Sequence, residues 1–217
     1  MTIDWGIIFE SVPLLGQGVV VTLQVSALAA VLGLALGVVL GLGSLSHSRP
    51  VRWLVAAYVD FIRGTPLLIQ IFLVFFALPI LGIRFDEFWA GVVALSLNSA
   101  AFVAEVVRGG VGSIERGQSE AATAIGMRHR QILVHILLPQ AYRQMVPPLT
   151  NELISLVKNS SLLSVISVYE LTRAGQAIIS VHFVPFEIFT LLALYYYVLI
   201  KALSWLSGRL ERKLPTW

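Results

Sequence analysis

Residues 120–139 read Glu-Ala-Ala-Thr-Ala-Ile-Gly-Met-Arg-His-Arg-Gln-Ile-Leu-Val-His-Ile-Leu-Leu-Pro. The frame is Glu120-Ala121-Ala122, then Gly126, then Ile136-Leu137-Leu138-Pro139, set between strongly apolar segments. Glu120 predicts a short helix opening with a carboxylate in its first turn, where the helix dipole favours negative charge. Ala121 and Ala122 present only methyl groups and so leave a face open to a partner. Gly126 removes the side chain where the backbone must turn or approach another protein closely. Pro139 marks the entry into the next helix. A polar segment of this shape between apolar ones is a docking element for a separate protein.

The apolar segments place the chain in a bilayer. It has 217 residues, 57% hydrophobic and 12% charged, far from soluble usage. No charged residue occurs from Ser11 to Ser46, from Gly64 to Ile83 or from Phe88 to Ala104. With Ala141 to Val168 and Phe186 to Leu206, these predict about five spans at roughly 20 residues per helix. The first is not expected to be a cleaved leader, because Asp4 and Glu10 precede it instead of a basic region and it is too long. An odd number of spans puts the termini on opposite sides.

Arginine and lysine orient the spans. Arg49, Arg52 and Arg63 fall between the first and second, Arg108, Arg116, Arg128 and Arg130 between the third and fourth, and Arg209, Arg212 and Lys213 after the fifth. The opposite loops hold Arg84 and Arg173 against Asp86, Glu87, Glu170 and Glu187. This predicts an outside amino terminus and a cytoplasmic carboxyl terminus. The net charge of +3 follows from that asymmetry and from anionic lipid, so no nucleic acid partner is implied. Cysteine is absent, which excludes disulfides and thiolate metal sites.

Gly33, Gly37 and Gly41 recur every fourth residue in the first span, the small-residue stripe that lets membrane helices approach closely. Ser46 to Pro50 is a turn cluster. Val51 to Ile62, interrupted by Arg52 and Asp60, is expected along or just inside the cytoplasmic surface before Gly64-Thr65-Pro66 restarts the helix. Pro147-Pro148 is expected to interrupt the fourth span. Val168 to Pro185 forms an external excursion.

Four motifs in order carry a family resemblance over nearly the whole chain: Arg63-Gly64-Thr65-Pro66-Leu67-Leu68, the Glu120–Pro139 segment, its flanks Gln118 and Gly126-Met127, and Asn151–Ile166 (NELISLVKNSSLLSVI). Together they resemble the transmembrane permease subunits of bacterial ATP-binding-cassette (ABC) importers, in the branch serving histidine, arginine, glutamine, cystine and opines. The resemblance implies an all-α membrane protein, a single permease domain over residues 1–217 with the type I ABC importer permease fold. Its cytoplasmic coupling-helix loop lies at about 108–139, with Glu120, Ala121, Ala122, Gly126 and Met127 meeting the ATPase. It further implies a multi-pass location in the inner membrane and alternating access that moves a polar amino acid. The implied partners are two ATPase subunits, a second permease subunit and an extracytoplasmic solute-binding protein.

No G-x-x-x-x-G-K-[ST] occurs and no glycine precedes a lysine. This subunit is therefore expected to be no enzyme and to hold no cofactor, with ATP and Mg bound by the partner ATPases. His47, His129, His135 and His182 have no metal-ligand spacing, and no metal site is expected.

Charges at the bilayer centre cost at least about 2.5 to 3.5 kcal/mol, so Glu152 and Lys158 invite a functional reading. At about 100° per residue, Glu152, Ser155 and Asn159 share one face of the fourth span, and Asn151, Ser155 and Lys158 the adjacent one. Asn98 adds an amide from the third span, with Glu105 about two turns below. Asn98, Glu152, Ser155, Lys158 and Asn159 are the candidate substrate pathway, suited to the ammonium and carboxylate of an amino acid. Two readings fit Glu152 and Lys158: substrate contact, or pairing between helices that holds the bundle. Glu105 with Arg108, three residues apart, reads as a structural ion pair. Two other functions accommodate a buried Glu152: an ion- or proton-coupled secondary transporter, and a membrane scaffold that transports nothing. The secondary transporter leaves residues 120–139 without a purpose.

Overall fold

A computed structural model describes residues 5–211; Asp4, Arg212 and Lys213, which entered the charge argument, lie outside them. The first span is one helix, α1 (Trp5–Ser44), continuous through Pro13. Its 40 residues extend about 60 Å at 1.5 Å per residue, twice a hydrocarbon core of roughly 30 Å. α1 therefore crosses tilted or projects beyond the bilayer.

The glycine stripe faces α4 (Glu87–Gly112), which Asp86 caps by accepting the Trp89 N–H at 2.8 Å. A Cβ at Gly33, Gly37 or Gly41 would lie 2.9, 2.5 or 2.6 Å from the Cβ of Ser99, Val103 or Val107. No side chain fits there, and two helix backbones pack in van der Waals contact. Ala90, Val92, Leu95, Ala100 and Ala101 of α4 are fully buried, so α4 is the central post of the bundle. One apolar core gathers Val25, Ile71, Leu95, Leu156 and Leu163 around it. A second joins Leu15, Leu171, Ile178, Ile188 and Leu192 toward the amino-terminal end of α1.

The second span is broken. α2 (Arg49–Gly64) and α3 (Leu67–Phe72) meet at Thr65-Pro66, and α2 is bent by 108° from the segment Leu67–Leu81. Pro66 disfavours the helical conformation of Thr65, which is extended at φ −116° and ψ 146°. Gln70 closes the bend: its Nε2 donates to the Ile62 carbonyl at 2.7 Å and to the Thr65 hydroxyl at 2.9 Å. The Asn98 amide donates to Gln70 Oε1 at 2.9 Å and ties the bend to α4. α2 also packs Val55, Val59 and Ile62 against Ala101 and Ala104, so it is a packed part of the bundle and not only a surface segment.

Two π-helical turns, Leu73–Ala77 and Leu133–Leu137, each end two residues before a proline, Pro79 and Pro139. In each, the residue preceding the proline donates five residues back, Leu78 to Leu73 and Leu138 to Leu133. A proline ring clashes with the carbonyl four residues earlier, and widening the turn before it removes the conflict. Pro147 and Pro148 behave otherwise. α7 (Leu138–Asn159) remains helical through both; its ladder loses the two bonds these prolines cannot donate, without the helix ending there. The Thr150 hydroxyl donates to the Pro147 carbonyl at 2.8 Å.

By length and apolarity alone, α1, α4 and residues 185–209 of α9 (Pro185–Glu211) qualify as spans, with the bent pair as a fourth. The expected fourth span, α7, does not qualify, because Glu152, Lys158 and their amide neighbours make it too polar to stand in lipid alone. A 3-10 stretch (Ser160–Ile166) follows it, then α8 (Leu171–His182), which fills the excursion before α9.

Candidate functional site

Residues 116–139 contain α5 (Arg116–Ala124) and α6 (His129–Ile132). Glu115 is the residue before α5, so Glu120 sits past the first turn and not within it as its position in the motif suggested. The helix nucleates at Arg116, and the dipole argument for Glu120 does not hold.

Gly126 ends α5 at φ +80°. Its N–H donates to the Thr123 carbonyl at 2.9 Å, and the Met127 N–H to the Ala122 carbonyl at 3.1 Å. These are the two bonds of a Schellman turn, whose penultimate position needs a left-handed backbone. Among the described residues, nothing beyond its two chain neighbours lies within 4 Å of a Cβ built at Gly126, so conformation, not crowding, requires glycine. Ala121 is exposed, whereas Ala122 is 4% exposed; only the first of the two alanines is open to a partner. The exposed apolar groups are Ile125 and Val134, at 79% and 53%. The ring of His129 lies 4.1 Å from that of His47, which joins this segment to the α1–α2 turn.

The second candidate region lies between α4 and α7. A cavity of about 600 Å³ is lined by Phe102, Glu105, Gln144, Asn151, Glu152 and Ser155, among others. A smaller one of about 200 Å³ brings Ser99 and Glu152 together among Leu34, Val103 and Leu156. Glu152 stands at the junction of the two. The Ser99 hydroxyl donates to its carboxylate, and Ser99 is itself pressed against Gly33. Glu105 takes two bonds of 2.8 Å from Arg108 and lies 3.1 Å from Arg63. Those are the salt bridges among the described residues, and neither reaches Glu152.

The cavities gather Asn151, Glu152 and Ser155. Lys158 is exposed and Asn159 half-buried toward the far end of α7, about 9 Å beyond Glu152 for Lys158 at 1.5 Å per residue. Asn98 departs from expectation. It is buried and committed to Gln70, holding the bend of the broken span instead of facing the cavities. Sequence reasoning missed Ser99 and Gln70. The signal for Gln70 was an amide inside the apolar run Leu67–Phe72; Ser99 had none of its own, being one serine among many.

Comparison with known proteins agrees with this architecture. Residues 33–215 match the family described as "Binding-protein-dependent transport system inner membrane component". The chain is 39% identical over 217 residues to the arginine transport system permease protein ArtQ of Bacillus subtilis, covering 100% of this chain and 99% of that one. It is 38% identical over 216 residues to the glutamine transport system permease protein GlnP of Escherichia coli, covering 99% of each. Among solved structures, a chain from the crystal structure of an amino acid ABC transporter with histidines superposes with a TM-score of 0.92. It is 36% identical, and the match covers 99% of this chain and 100% of that one. A chain of the MetNI methionine ABC transporter, 23% identical, shares the fold at a TM-score of 0.81 over 99% of this chain and 100% of that one. With its broken second span, its polar α7 and the short helix α5 before it, the chain belongs to the inner membrane components of binding-protein-dependent transport systems, as a transmembrane permease subunit of an ABC importer.

Proposed function

We propose that this subunit carries a polar amino acid inward along the α4–α7 surface, with Glu152 contacting the substrate's cationic group. The observation that supports this reading is Glu152 itself, a carboxylate at the junction of two cavities with a serine hydroxyl and no salt bridge. Asn151 and Ser155 line the same space and supply amide and hydroxyl groups. Lys158 and Asn159, farther along α7, would meet the substrate carboxylate nearer the outer mouth. Arginine, glutamine and histidine appear in the names of related proteins, and each presents the α-ammonium that Glu152 would bind.

The partners in this proposal are two ATPase subunits that bind ATP and Mg, a second permease subunit, and an extracytoplasmic solute-binding protein. The ATPases would hold the exposed Ala121 and Ile125 side of α5. Their closure on ATP would move α5 and, through the turn Leu133–Leu137, α7. Transport then follows from different substrate affinities in two states. Reconstituted with its ATPase and binding protein in proteoliposomes, the permease is expected to accumulate labelled arginine, glutamine or histidine only when ATP and the binding protein are both present. ATP-independent uptake driven by a proton or sodium gradient would instead establish a secondary carrier.

The amino terminus is proposed to lie outside and the carboxyl terminus in the cytoplasm. A cysteine placed at Ser113 or Ser207 is expected to resist an impermeant thiol reagent in intact cells, and one at Asp86 to react. Reversed labelling would invert the orientation.

A further inference from the structure

The larger cavity beside Glu152 has a second charged wall, formed by Arg63 and Glu105. Its volume of about 600 Å³ lies within the roughly 300–1,000 Å³ of small-molecule sites. The broken span puts Arg63 there. Arg63 stands in the last turn of α2, where the helix dipole favours a cation, and α2 ends at Gly64 because Pro66 turns the chain. Gln70 holds that bend through Ile62 and Thr65, on either side of Arg63. The guanidinium lies over the Phe102 ring of α4, 5.5 Å from its centroid.

Two guanidiniums share one carboxylate here. Arg108 takes both oxygens of Glu105 in a fork of two 2.8 Å bonds, the strong arrangement for this pair. Arg63 reaches the same carboxylate through one nitrogen at 3.1 Å. A guanidinium carries five N–H donors, so Arg63 keeps donors for another acceptor, and the three side chains sum to one positive charge. The α7 wall carries the complementary excess, since Glu152 has no salt bridge among the described residues. Lys158 is exposed toward the far end of α7 and does not line this cavity. One unmatched cation and one unmatched carboxylate thus face a single space among membrane-spanning helices, where either charge is expensive. A zwitterion with its ammonium and carboxylate on one carbon satisfies both, whereas a simple amine satisfies only Glu152.

Taking Glu152 as the ammonium site, we infer that Arg63 is a substrate-binding residue: it holds the carboxylate of an α-amino acid in this cavity, while Glu105 and Arg108 fix its guanidinium in place. The permease itself then selects against amines and amino acid amides, which lack the carboxylate.

The test measures displacement of labelled arginine, glutamine and histidine from the purified permease–ATPase complex, without binding protein. The competitors are each unlabelled amino acid and its primary amide, at a pH where both carry the ammonium. With wild type the amide is expected to compete about tenfold or more weakly, the loss of a charge-assisted hydrogen bond. In Arg63→Gln the amino acid should weaken by a similar factor, so that the ratio of the two falls to about one. Arg63→Lys keeps the charge without the planar fork and should give an intermediate ratio, which serves if the glutamine variant does not assemble. Glu152→Gln should weaken amino acid and amide alike, because both carry the ammonium. An amide that matches the amino acid on wild type would overturn the assignment of Arg63, as would an unchanged ratio in the assembled Arg63 variants. Collapse of the ratio in Arg63→Gln with wild-type binding in Glu152→Gln would keep Arg63 and remove Glu152, and the reverse result would keep Glu152 and remove Arg63. Absence of displaceable binding of all three amino acids to wild type would remove both.

Discussion

Replacing Gly126 by valine is expected to abolish ATP-dependent uptake while the permease still inserts into the membrane. At φ +80° a β-branched residue is a genuine conformational outlier, and holding it there costs about 1–3 kcal/mol. The chain can escape only by unwinding the end of α5, which gives up the Gly126–Thr123 and Met127–Ala122 bonds. The exposed Ile125 would then move away from the partner. A cost of that size shifts the population of the docked geometry by about one to two powers of ten. Gly126→Asn provides the control, because asparagine tolerates the left-handed region and the space around a Cβ is open. Copurification of the ATPase and coupled hydrolysis should be lost in the valine variant and largely kept in the asparagine one. Equal loss in both would show that the partner, not the backbone, demands glycine; wild-type uptake in Gly126→Val would remove the segment from the coupling path altogether.

Glu152→Gln is expected to lower substrate affinity in the permease about tenfold or more, since a hydrogen bond to a charged group contributes roughly 1.5 to 3 kcal/mol. The amide oxygen can still accept from Ser99, so the packing of Ser99 against Gly33 is preserved. The charge alone is removed. Substrate-dependent stimulation of hydrolysis in the reconstituted complex should shift to higher substrate concentration, while basal hydrolysis and ATPase docking are unchanged. An unaltered concentration dependence and unaltered selectivity would make Glu152 a residue that only holds α4 and α7 together.

Because these two variants act at opposite ends of α7, they also separate coupling from recognition. The docking segment reaches α7 through the π turn Leu133–Leu137, and Pro139 begins the helix that carries Glu152. Loss at Gly126 should be insensitive to substrate concentration, and loss at Glu152 should be partly recovered by raising it.

The bilayer location, the glycine stripe and the short helix ending at Gly126 were legible in the sequence, because each is a local property. Uncharged length reports burial in lipid, spacing of four reports one helix face, and glycine followed by the start of a new segment reports a helix end. The Glu105–Arg108 pair was legible for the same reason, as its two members are one turn apart. What only the tertiary structure decided was the partner of each buried polar group. Asn98 and Gln70 are 28 positions apart, and Glu170 and Tyr196 are 26 apart; no periodicity links them, and the pattern on α4 alone placed Asn98 with Glu152. Ala121 and Ala122 look alike in the motif, yet the turn packed behind α5 buries only the second. The prolines make the same point. Pro79 and Pro139 are accommodated by wide turns and Pro147 and Pro148 inside a helix, because a lost backbone bond is settled by whichever neighbouring carbonyl or packed helix can replace it, and that is a property of the folded chain.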